Sequence, residues 1–471
     1  MTKNAIAAFA AFAAAAVFAE DGTNLLEKAS DVSFDAGADL RIRQEIIHNA
    51  PQVPGGMVGR PGVYRGKTIN HIRFRPRVWS EIKAGEHFRL YGRLADEFRA
   101  PITGSGNANN WPGEVVVDNL YLDGVGLFKD TFGFLDSVDF RIGRQDIYNL
   151  YGLKHIFFDG TPGDGSRSLY ADMVRMGLAF SEDTRLDFFA MLNKDREYMR
   201  FGTNRSRYAN QLSGMGGNDT EMDDWGFGTV FSSNVGFLDY QLFWIQKDEA
   251  SFHRKGVKHP RRQINLLGTK LVPHWTRNLS TPVEVMAQVG ENGWDESMSA
   301  YAGYAGVEWK DNEAKKGEWK PYASAGILLL SGDKDAGTED GGRHAWDPMW
   351  YRAIDAGEMF LYGSNYAVAW WSNLIDVKGV CGIEFGRNHG VKLTAGPMFA
   401  ETKDGLGGGD GAYKGFYSQA RYDFPIWTAE RDRGERFEVC AHVVGEWFNP
   451  GDYYATDKPA YYVRWQIEFR F

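Results

Sequence analysis

The amino-acid sequence predicts an all-β fold, a membrane-spanning antiparallel up-and-down β-barrel of eighteen strands. Three observations lead to this prediction. Apolar and polar side chains alternate in many segments of about ten residues, the connections between these segments are alternately short and long, and the last segment ends on an aromatic residue. Alternation with a period of two is the pattern of a strand with two different faces, and its repetition in segments of this length is typical of outer-membrane barrels.

The overall composition excludes several classes of protein. Of the 471 residues, 43% are hydrophobic and 14% are aromatic, which is too apolar for a disordered chain. Two cysteines cannot form a disulfide framework for a protein of this length. A formal charge of −9 argues against a protein that binds nucleic acid. We therefore expect a folded protein that needs no disulfides and has no nucleic-acid partner.

Residues 1–19 have the composition of a cleaved secretory signal peptide. Lys3 is followed by a run of Ala, Ile, Phe and Val that ends at Ala19, just before Glu20. This run is too short for a membrane anchor, and no later segment has the roughly 20 apolar residues of a transmembrane helix. We expect an exported protein in which residues 20–471 form a single barrel domain.

The strand pattern is clearest at the end of the chain. From Tyr461 to Phe471 the odd positions are apolar or aromatic, whereas the even positions include Arg464, Glu468 and Arg470. A terminal Phe resembles the signal by which the machinery that assembles outer-membrane barrels recognises its substrates. Segments of the same kind predict strands at 33–48, 68–83, 87–99, 114–124, 136–148, 171–180, 184–194, 224–233, 236–248, 261–272, 281–291, 299–310, 318–331, 373–386, 390–401, 413–425, 435–448 and 460–471. An even number of strands places both ends of the chain in the periplasm.

The connections are expected to differ between the two ends of the barrel. Short turns at 83–86, 181–183, 232–235 and 387–389 are expected to face the periplasm. Long loops at 49–67, 149–170, 195–223 and 332–372 are expected outside the cell. Loops of this length are usually functional, and each one either folds into the mouth of the barrel or decorates the surface. The sequence leaves both interpretations open.

Arginine dominates the polar faces of the strands, which should line the lumen. The expected lumen-lining residues are Arg41, Arg43, Arg73, Arg75, Arg77, Arg89, Arg93, Arg141, Arg464 and Arg470. Arginine stays charged and binds carboxylates through paired hydrogen bonds, so that a ring of arginines favours anions. The alternative is a neutral ladder in which these arginines pair with inward Asp and Glu. Against the ladder, segment 71–80 contains three arginines and no acid.

We expect Arg73, Arg75, Arg77, Arg89 and Arg93 to form one cationic patch on two adjacent strands. Glu97 is the acid expected near this patch on the same face. Repulsion between the arginines would then be relieved by acids of other strands, by a loop that folds inward, or by a bound anion.

No motif predicts catalysis or a metal site. His442 shares a strand face with Glu438 and Glu446, a spacing that fits a hydrogen-bond ladder better than a metal or acid–base site. The segment 159–165 is rich in Asp and Gly but lacks the later glutamate of an EF-hand loop. No spacing indicates the Ser–His pair of a lipase. We therefore predict a protein that is not an enzyme, with no catalytic residues, no metal and no cofactor.

Three segments resemble the alginate export family of outer-membrane porins. They are Asn119-Leu120-Tyr121-Leu122, Arg141-Ile142-Gly143-Arg144-Gln145 and Phe158-Asp159-Gly160-Thr161-Pro162. The resemblance implies a monomeric 18-stranded barrel in the outer membrane of a Gram-negative bacterium, with an electropositive constriction that passes a polyuronate. Arg73, Arg75, Arg77, Arg89, Arg93 and Arg141 would belong to that constriction. Asp118 departs from the pattern, because it occupies a lipid-facing position, and a bulge or a strand end would explain it.

The sequence thus favours a passive channel for an anionic saccharide such as alginate or a uronate. Its expected partners are the saccharide in transit, the outer-membrane lipid, the barrel assembly machinery, and periplasmic proteins that make or degrade the polysaccharide. A general or small-anion porin, or a structural or enzymatic barrel with a blocked lumen, is the alternative.

Overall fold

The computed structural model describes most of the barrel and part of its loops. Residues 1–19, the expected signal peptide, lie outside the described residues, as do most of the loops 49–67, 149–170 and 195–223. The described residues are 32–49, 68–103, 115–129, 131–147, 150–153, 170–193, 200–201, 224–254, 257–291, 293, 297–315, 317–335, 344–350, 372–404, 406–430 and 436–471.

Eighteen antiparallel strands form one closed barrel. Each strand pairs with its neighbours in the chain, and the first strand pairs with the last to close the cylinder. The strands are β1 (Val32–His48), β2 (Thr68–Ala84), β3 (Phe88–Ala95 and Phe98–Thr103), β4 (Val115–Leu127), β5 (Ser137–Asp146), β6 (Tyr170–Ala179), β7 (Thr184–Asn193), β8 (Asp224–Val235), β9 (Leu238–Glu249), β10 (Arg262–Pro273), β11 (Val283–Glu291), β12 (Ser297–Lys310), β13 (Lys320–Leu330), β14 (Leu374–Phe385), β15 (His389–Phe399), β16 (Tyr413–Glu430), β17 (Arg436–Pro450) and β18 (Ala460–Arg470). The predicted fold class is confirmed, and each predicted strand is present.

Two strands differ noticeably from the prediction. β3 is interrupted at Asp96 and Glu97 and then continues to Thr103, still paired with β2. β16 extends to Glu430 through a register shift near Pro425. The remaining elements are short: a 3₁₀ turn at Leu150–Gly152, strands at Arg200–Phe201 and Leu279–Ser280, and a hairpin of Phe252–Arg254 with Val257–His259. Within the described ranges, no helix has the length and hydropathy to cross a membrane.

The barrel buries its charged residues and exposes its apolar ones. In β18, Arg464 is fully buried whereas its neighbours Val463 and Trp465 are 41% and 36% exposed. Exposed aromatic side chains gather near the short-turn end, and they include Phe34, Phe237, Trp275, Trp319, Trp427 and Phe471. This is the inverse of a soluble protein, and it is the arrangement of a barrel with lipid outside and a polar lumen inside. The protein is therefore placed in the bacterial outer membrane.

A bulge in β4 explains the departure at Asp118. Arg93 of β3 pairs with Asn119, whereas Leu94 pairs with Val117, so Asp118 has no partner position in β3. The extra residue turns the Asp118 side chain inward, where it is fully buried and accepts hydrogen bonds from Arg93 at 2.8 and 2.9 Å. The carboxylate therefore does not face lipid.

Candidate functional site

Five neighbouring strands carry most of the lumen arginines in aligned rows. Successive rows along β16, β17, β18, β1 and β2 are Arg421, Val444, Arg464, Glu45 and His71; Asp423, His442, Gln466, Arg43 and Arg73; Pro425, Cys440, Glu468, Arg41 and Arg75; and Thr428, Glu438, Arg470, Asp39 and Arg77. Neighbouring strands are about 4.8 Å apart, and rows two residues apart are separated by about 7 Å. We call this surface the arginine wall.

Glu45 is the node that holds one side of the wall together. Its carboxylate is fully buried and accepts hydrogen bonds from Arg73 at 2.9 and 3.0 Å and from Arg43 at 3.2 Å. Nε2 of His71 lies 2.8 Å from the same carboxylate, and the hydroxyl of Tyr462 donates to it at 3.2 Å. Arg43 also donates to the side-chain carbonyl of Gln466 at 2.7 and 2.9 Å. The guanidiniums are therefore fixed in position.

Asp39 and Glu468 compensate the rows nearer the short turns. Asp39 accepts hydrogen bonds from Arg77 at 2.8 and 2.9 Å and from Arg75 at 3.3 Å. Glu468 accepts one from Arg470 at 3.1 Å and lies 3.8 Å from Arg75. Acids of other strands, the first of the three expected ways to relieve the repulsion, are thus supplied by β1 and β18 across the closure of the barrel.

The wall nevertheless contains more arginines than carboxylates. Its four rows hold eight arginines, at 41, 43, 73, 75, 77, 421, 464 and 470, and five carboxylates, at 39, 45, 423, 438 and 468. Its two middle rows hold four arginines and two carboxylates. Charges fixed in a narrow passage with low-dielectric walls act on passing ions more strongly than they would on an open surface.

A cavity of about 350 Å³ lies against the arginine wall. Its lining contains six arginines, at 41, 43, 75, 77, 421 and 470, but three carboxylates, at 423, 438 and 468. A second cavity of about 550 Å³ shares Asn388, Arg421 and Asp423 with the first. It adds two lysines and two glutamates, Lys320, Lys392, Glu318 and Glu384. Because Asn388 belongs to a short turn, the lined space continues toward the short-turn end of the barrel.

The arginines of β3 and β5 form a separate, compensated group. Arg89 and Arg141 both donate to Asp123, and Arg89 also donates to Glu81 at 3.0 Å. Arg93 is held by Asp118 and by Asp146 at 3.1 Å. This group is the neutral ladder that the sequence left as an alternative.

Arg73, Arg75, Arg77, Arg89 and Arg93 thus lie on two adjacent strands, as expected for one patch, but they bind different acids. The register offsets them along the strands, because Arg89 pairs with Lys83 and Arg93 with Trp79, whereas Arg77 pairs with Ala95. The expected acid Glu97 does lie beside this group, 3.5 Å from Arg73. Asp39 and Glu45 of β1 are additional carboxylates and lie closer to the arginines of β2.

The ten predicted residues thus divide into two sets. Arg41, Arg43, Arg73, Arg75, Arg77, Arg464 and Arg470 belong to the arginine wall, and Arg89, Arg93 and Arg141 belong to the ladder. The predicted set omitted Arg421 and His442, which line the cavity of the wall. Their rows show that they belong to the wall, and these rows can be assigned only when the register between the strands is known.

The loop between β13 and β14 folds into the barrel from the opposite side. We call its described residues 344–350 the inward loop. Trp346, Met349 and Trp350 are all buried, and the backbone carbonyl of Met349 accepts a hydrogen bond from Lys247 at 2.8 Å. The indole of Trp350 donates to Asp224 at 3.1 Å. Gly226 makes room for this indole, since a Cβ there would lie 2.4 Å from it.

Asp347 anchors the inward loop to two further strands. Its backbone N–H donates to Gln288 of β11 at 2.9 Å, and its carbonyl accepts from the same side chain at 2.6 Å. Its carboxylate pairs with Arg262 of β10. Of the two interpretations open for loop 332–372, inward folding is therefore correct for residues 344–350.

The lumen is consequently asymmetric. The inward loop packs on the apolar inner faces of β8 to β11, which include Val230, Ile245, Ile264 and Met286. The turn Leu150–Gly152 enters the same region, where the carbonyl of Tyr151 accepts a hydrogen bond from Gln241 at 2.9 Å. An apolar half covered by residues 344–350 and 150–152 thus stands opposite the arginine wall.

The structure does bring one serine close to a histidine. Oγ of Ser299 lies 3.1 Å from Nδ1 of His344, which is also 3.2 Å from the backbone carbonyl of Ser299. A nitrogen that donates to this carbonyl cannot accept the serine proton, so the contact gives no support to a hydrolase. Nδ1 of His442 lies 3.9 Å from Asp423. In the described ranges, no group of three or more His, Cys, Asp and Glu side chains is arranged to hold a metal ion.

Comparisons with known proteins concern the barrel architecture. No protein-family model matches the chain, and no curated protein matches it. Among solved structures, OccK11 (OpdR) of Pseudomonas aeruginosa is similar with a TM-score of 0.48 and 8% identity, over 93% of this chain and 96% of that one. OprB of Pseudomonas putida has a TM-score of 0.43 and 8% identity, over 97% of both chains. The outer membrane channel DcaP of Acinetobacter baumannii has a TM-score of 0.42 and 11% identity, over 94% of this chain and 98% of that one.

Proposed function

We propose that the protein is a passive outer-membrane channel for anionic solutes, with acidic saccharides as the preferred cargo. The observation that carries the proposal is the cavity on the arginine wall, whose lining has twice as many arginines as carboxylates. An arginine-lined passage attracts anions, repels cations and recognises carboxylates through paired donors. The compensated ladder of β3 to β5 has no such excess and would support the barrel.

The size of the cavity on the arginine wall favours a small acid or a short oligosaccharide as the cargo. The cavity of about 350 Å³ is near the lower end of pockets that enclose small organic ligands. The inward loop fills part of the opposite half. Export of a polyuronate, which the resemblance to alginate porins implies, belongs to the same cargo class and would require a single extended chain to thread along the wall.

A barrel with a blocked lumen is the second candidate, and the inward loop is the observation that favours it. Trp346, Met349 and Trp350 are buried at 2%, 1% and 2% exposure, and several hydrogen bonds tie the loop to the wall behind it. A structural barrel needs no passage beside such a loop. The two candidates differ in whether ions cross.

The natural cysteines provide a direct test. Cys440 lies in the lining of the cavity, whereas Cys381 is exposed on the outside of the barrel. In a Cys381→Ser background, purified protein in a planar bilayer should give stepwise current. A negatively charged methanethiosulfonate reagent should reduce this current by modifying Cys440, and should act faster than its positively charged analogue.

The matched control is the variant that lacks both thiols, Cys381→Ser/Cys440→Ser, whose current should be insensitive to either reagent. Absence of current would support the blocked barrel. Current that is reduced faster by the cationic reagent would contradict an anion channel.

A further inference from the structure

We infer that the cavity on the arginine wall is a saturable binding site for one hydroxy-carboxylate of sugar-acid size, and that it binds the carboxylate through Arg75 and a hydroxyl through His442. The inference rests on the proposed function and goes beyond it. An anion-selective passage needs only excess positive charge, whereas this site distinguishes a sugar acid from other carboxylates.

Two buried donor or acceptor atoms on the cavity wall carry the inference. Arg75 and His442 both line the cavity and are 5% and 7% exposed. Nε of Arg75 and Nε2 of His442 have no hydrogen-bond partner among the residues that the structure describes. Such atoms are costly to bury unless a partner is supplied, and a bound solute supplies one.

Neighbouring groups on the wall are already engaged. The side-chain carbonyl of Gln466 accepts two hydrogen bonds from Arg43. Nη2 of Arg75 donates a hydrogen bond to Asp39 at 3.3 Å. Nε of Arg75 has no such partner within the described ranges and remains for a solute carboxylate. The imidazole of His442 suits a hydroxyl in either tautomer, because a hydroxyl both donates and accepts.

The spacing of the two groups sets the size of the ligand. Arg75 belongs to β2 and His442 to β17, three strand intervals or about 14 Å apart at the backbone, and both side chains project into the same cavity. One molecule that reaches both groups must carry its charge at one end and hydroxyls along its length. Chloride and acetate do not meet this requirement, whereas glucuronate does.

The test measures how strongly three solutes block the small-ion current in a planar bilayer. Glucuronate carries a carboxylate and hydroxyls, cyclohexanecarboxylate carries the charge on a ring of similar size without hydroxyls, and glucose carries hydroxyls without the charge. We expect glucuronate to reach half block at a concentration about five- to tenfold below that of cyclohexanecarboxylate, the factor that one hydrogen bond supplies. Glucose should block least.

Variants of His442 assign the effect to the site. His442→Phe should remove the preference for glucuronate over cyclohexanecarboxylate. His442→Gln, which keeps a hydrogen-bonding group, should retain part of the preference. Arg75→Gln should weaken block by both carboxylates.

The negative results of this test have different meanings for the binding site, for His442 and for the proposed function. Equal block by both carboxylates in an anion-selective wild-type channel would overturn the binding site and leave the proposed function standing. A glucuronate preference that persists in His442→Phe would overturn the role of His442. Absence of current, or a preference for cations, would overturn the proposed function itself.

Discussion

The charge excess of the arginine wall predicts a selectivity change that can be calculated. Replacing Arg41 and Arg75 with Gln removes two charges from one row of the wall and keeps side chains that donate hydrogen bonds. Because Arg41 and Arg75 occupy paired positions on β1 and β2, both act on the same part of the passage. We expect Arg41→Gln/Arg75→Gln to remain folded but to lose much of its preference for anions.

Coulomb's law gives the size of the effect. A unit charge about 7 Å from a passing monovalent ion changes its energy by about 0.6 kcal/mol in water, and screening at 0.1 M salt halves this value. Anions and cations respond in opposite directions, so each lost guanidinium changes the anion-to-cation permeability ratio by about threefold. The double variant should therefore reduce the ratio about eightfold at 0.1 M salt and only about 1.5-fold at 1 M.

The assay is the reversal potential of single channels in a salt gradient. The matched control is Arg93→Gln/Asp118→Asn, which removes a guanidinium together with its carboxylate partner from the ladder and leaves the net charge unchanged. The control should keep the wild-type ratio. A difference in migration between unheated and boiled protein in a denaturing gel, equal to that of the wild type, would verify that both variants fold. An unchanged ratio in Arg41→Gln/Arg75→Gln would refute the assignment of selectivity to the wall.

Three further changes test the interactions that support the lumen. Glu45→Gln removes the buried carboxylate that binds Arg43 and Arg73. In a urea titration it should lower the free energy of unfolding by about 3 kcal/mol. A loss below about 1 kcal/mol would contradict the central role of Glu45 in the wall. Trp350→Ala should release the inward loop at a cost of about 3 kcal/mol and increase the single-channel conductance, whereas unchanged conductance would show that the loop does not narrow the passage. Gly143→Ala should lower the free energy of unfolding by about 2 kcal/mol in the same titration. The reasons are that φ at this position is 125° and that a Cβ would lie 2.2 Å from the carbonyl oxygen of Leu120. A free energy of unfolding equal to that of the wild type would mean that the β5 backbone relaxes.

Alternation along single strands was sufficient to predict the barrel. In β18 the charged even positions and apolar odd positions separate cleanly, so the number of strands, their approximate bounds and the inward direction of Arg464 and Arg470 follow from the sequence. The position of one arginine relative to another does not follow. That relation depends on the register between strands, which the short turns set and the alternation does not encode.

The pairing of the wall arginines with carboxylates shows what alternation along single strands cannot predict. Asp39 and Glu45 lie near Arg75 and Arg73 because β1 pairs with β2, and Glu468 lies near Arg75 because the barrel closes between β1 and β18. The sequence distance between Arg75 and Glu468 is almost the length of the protein. Pairs of this kind become evident only when the closed register is known.

The sequence indicates that part of the lumen wall is apolar and needs a cover, although the alternating pattern draws attention to the charged positions instead. Phe243, Trp244 and Ile245 of β9, and Ile264, Leu266 and Leu267 of β10, place apolar side chains on both faces of these strands, and one of these faces is turned to the lumen. A lumen-facing apolar surface must be covered, and Trp346 to Trp350 provide the cover. Which loop covers it could not be predicted, because four long loops were available.

The reversal potential of the wild-type channel tests the central claim most directly. With a tenfold gradient of potassium chloride across a planar bilayer, the excess of arginines over carboxylates on the wall predicts a potential whose sign shows that chloride permeates more readily than potassium. The preference should weaken as both salt concentrations are raised at constant ratio. A potential of the opposite sign, or a protein that folds into the bilayer and carries no current, would contradict an anion channel.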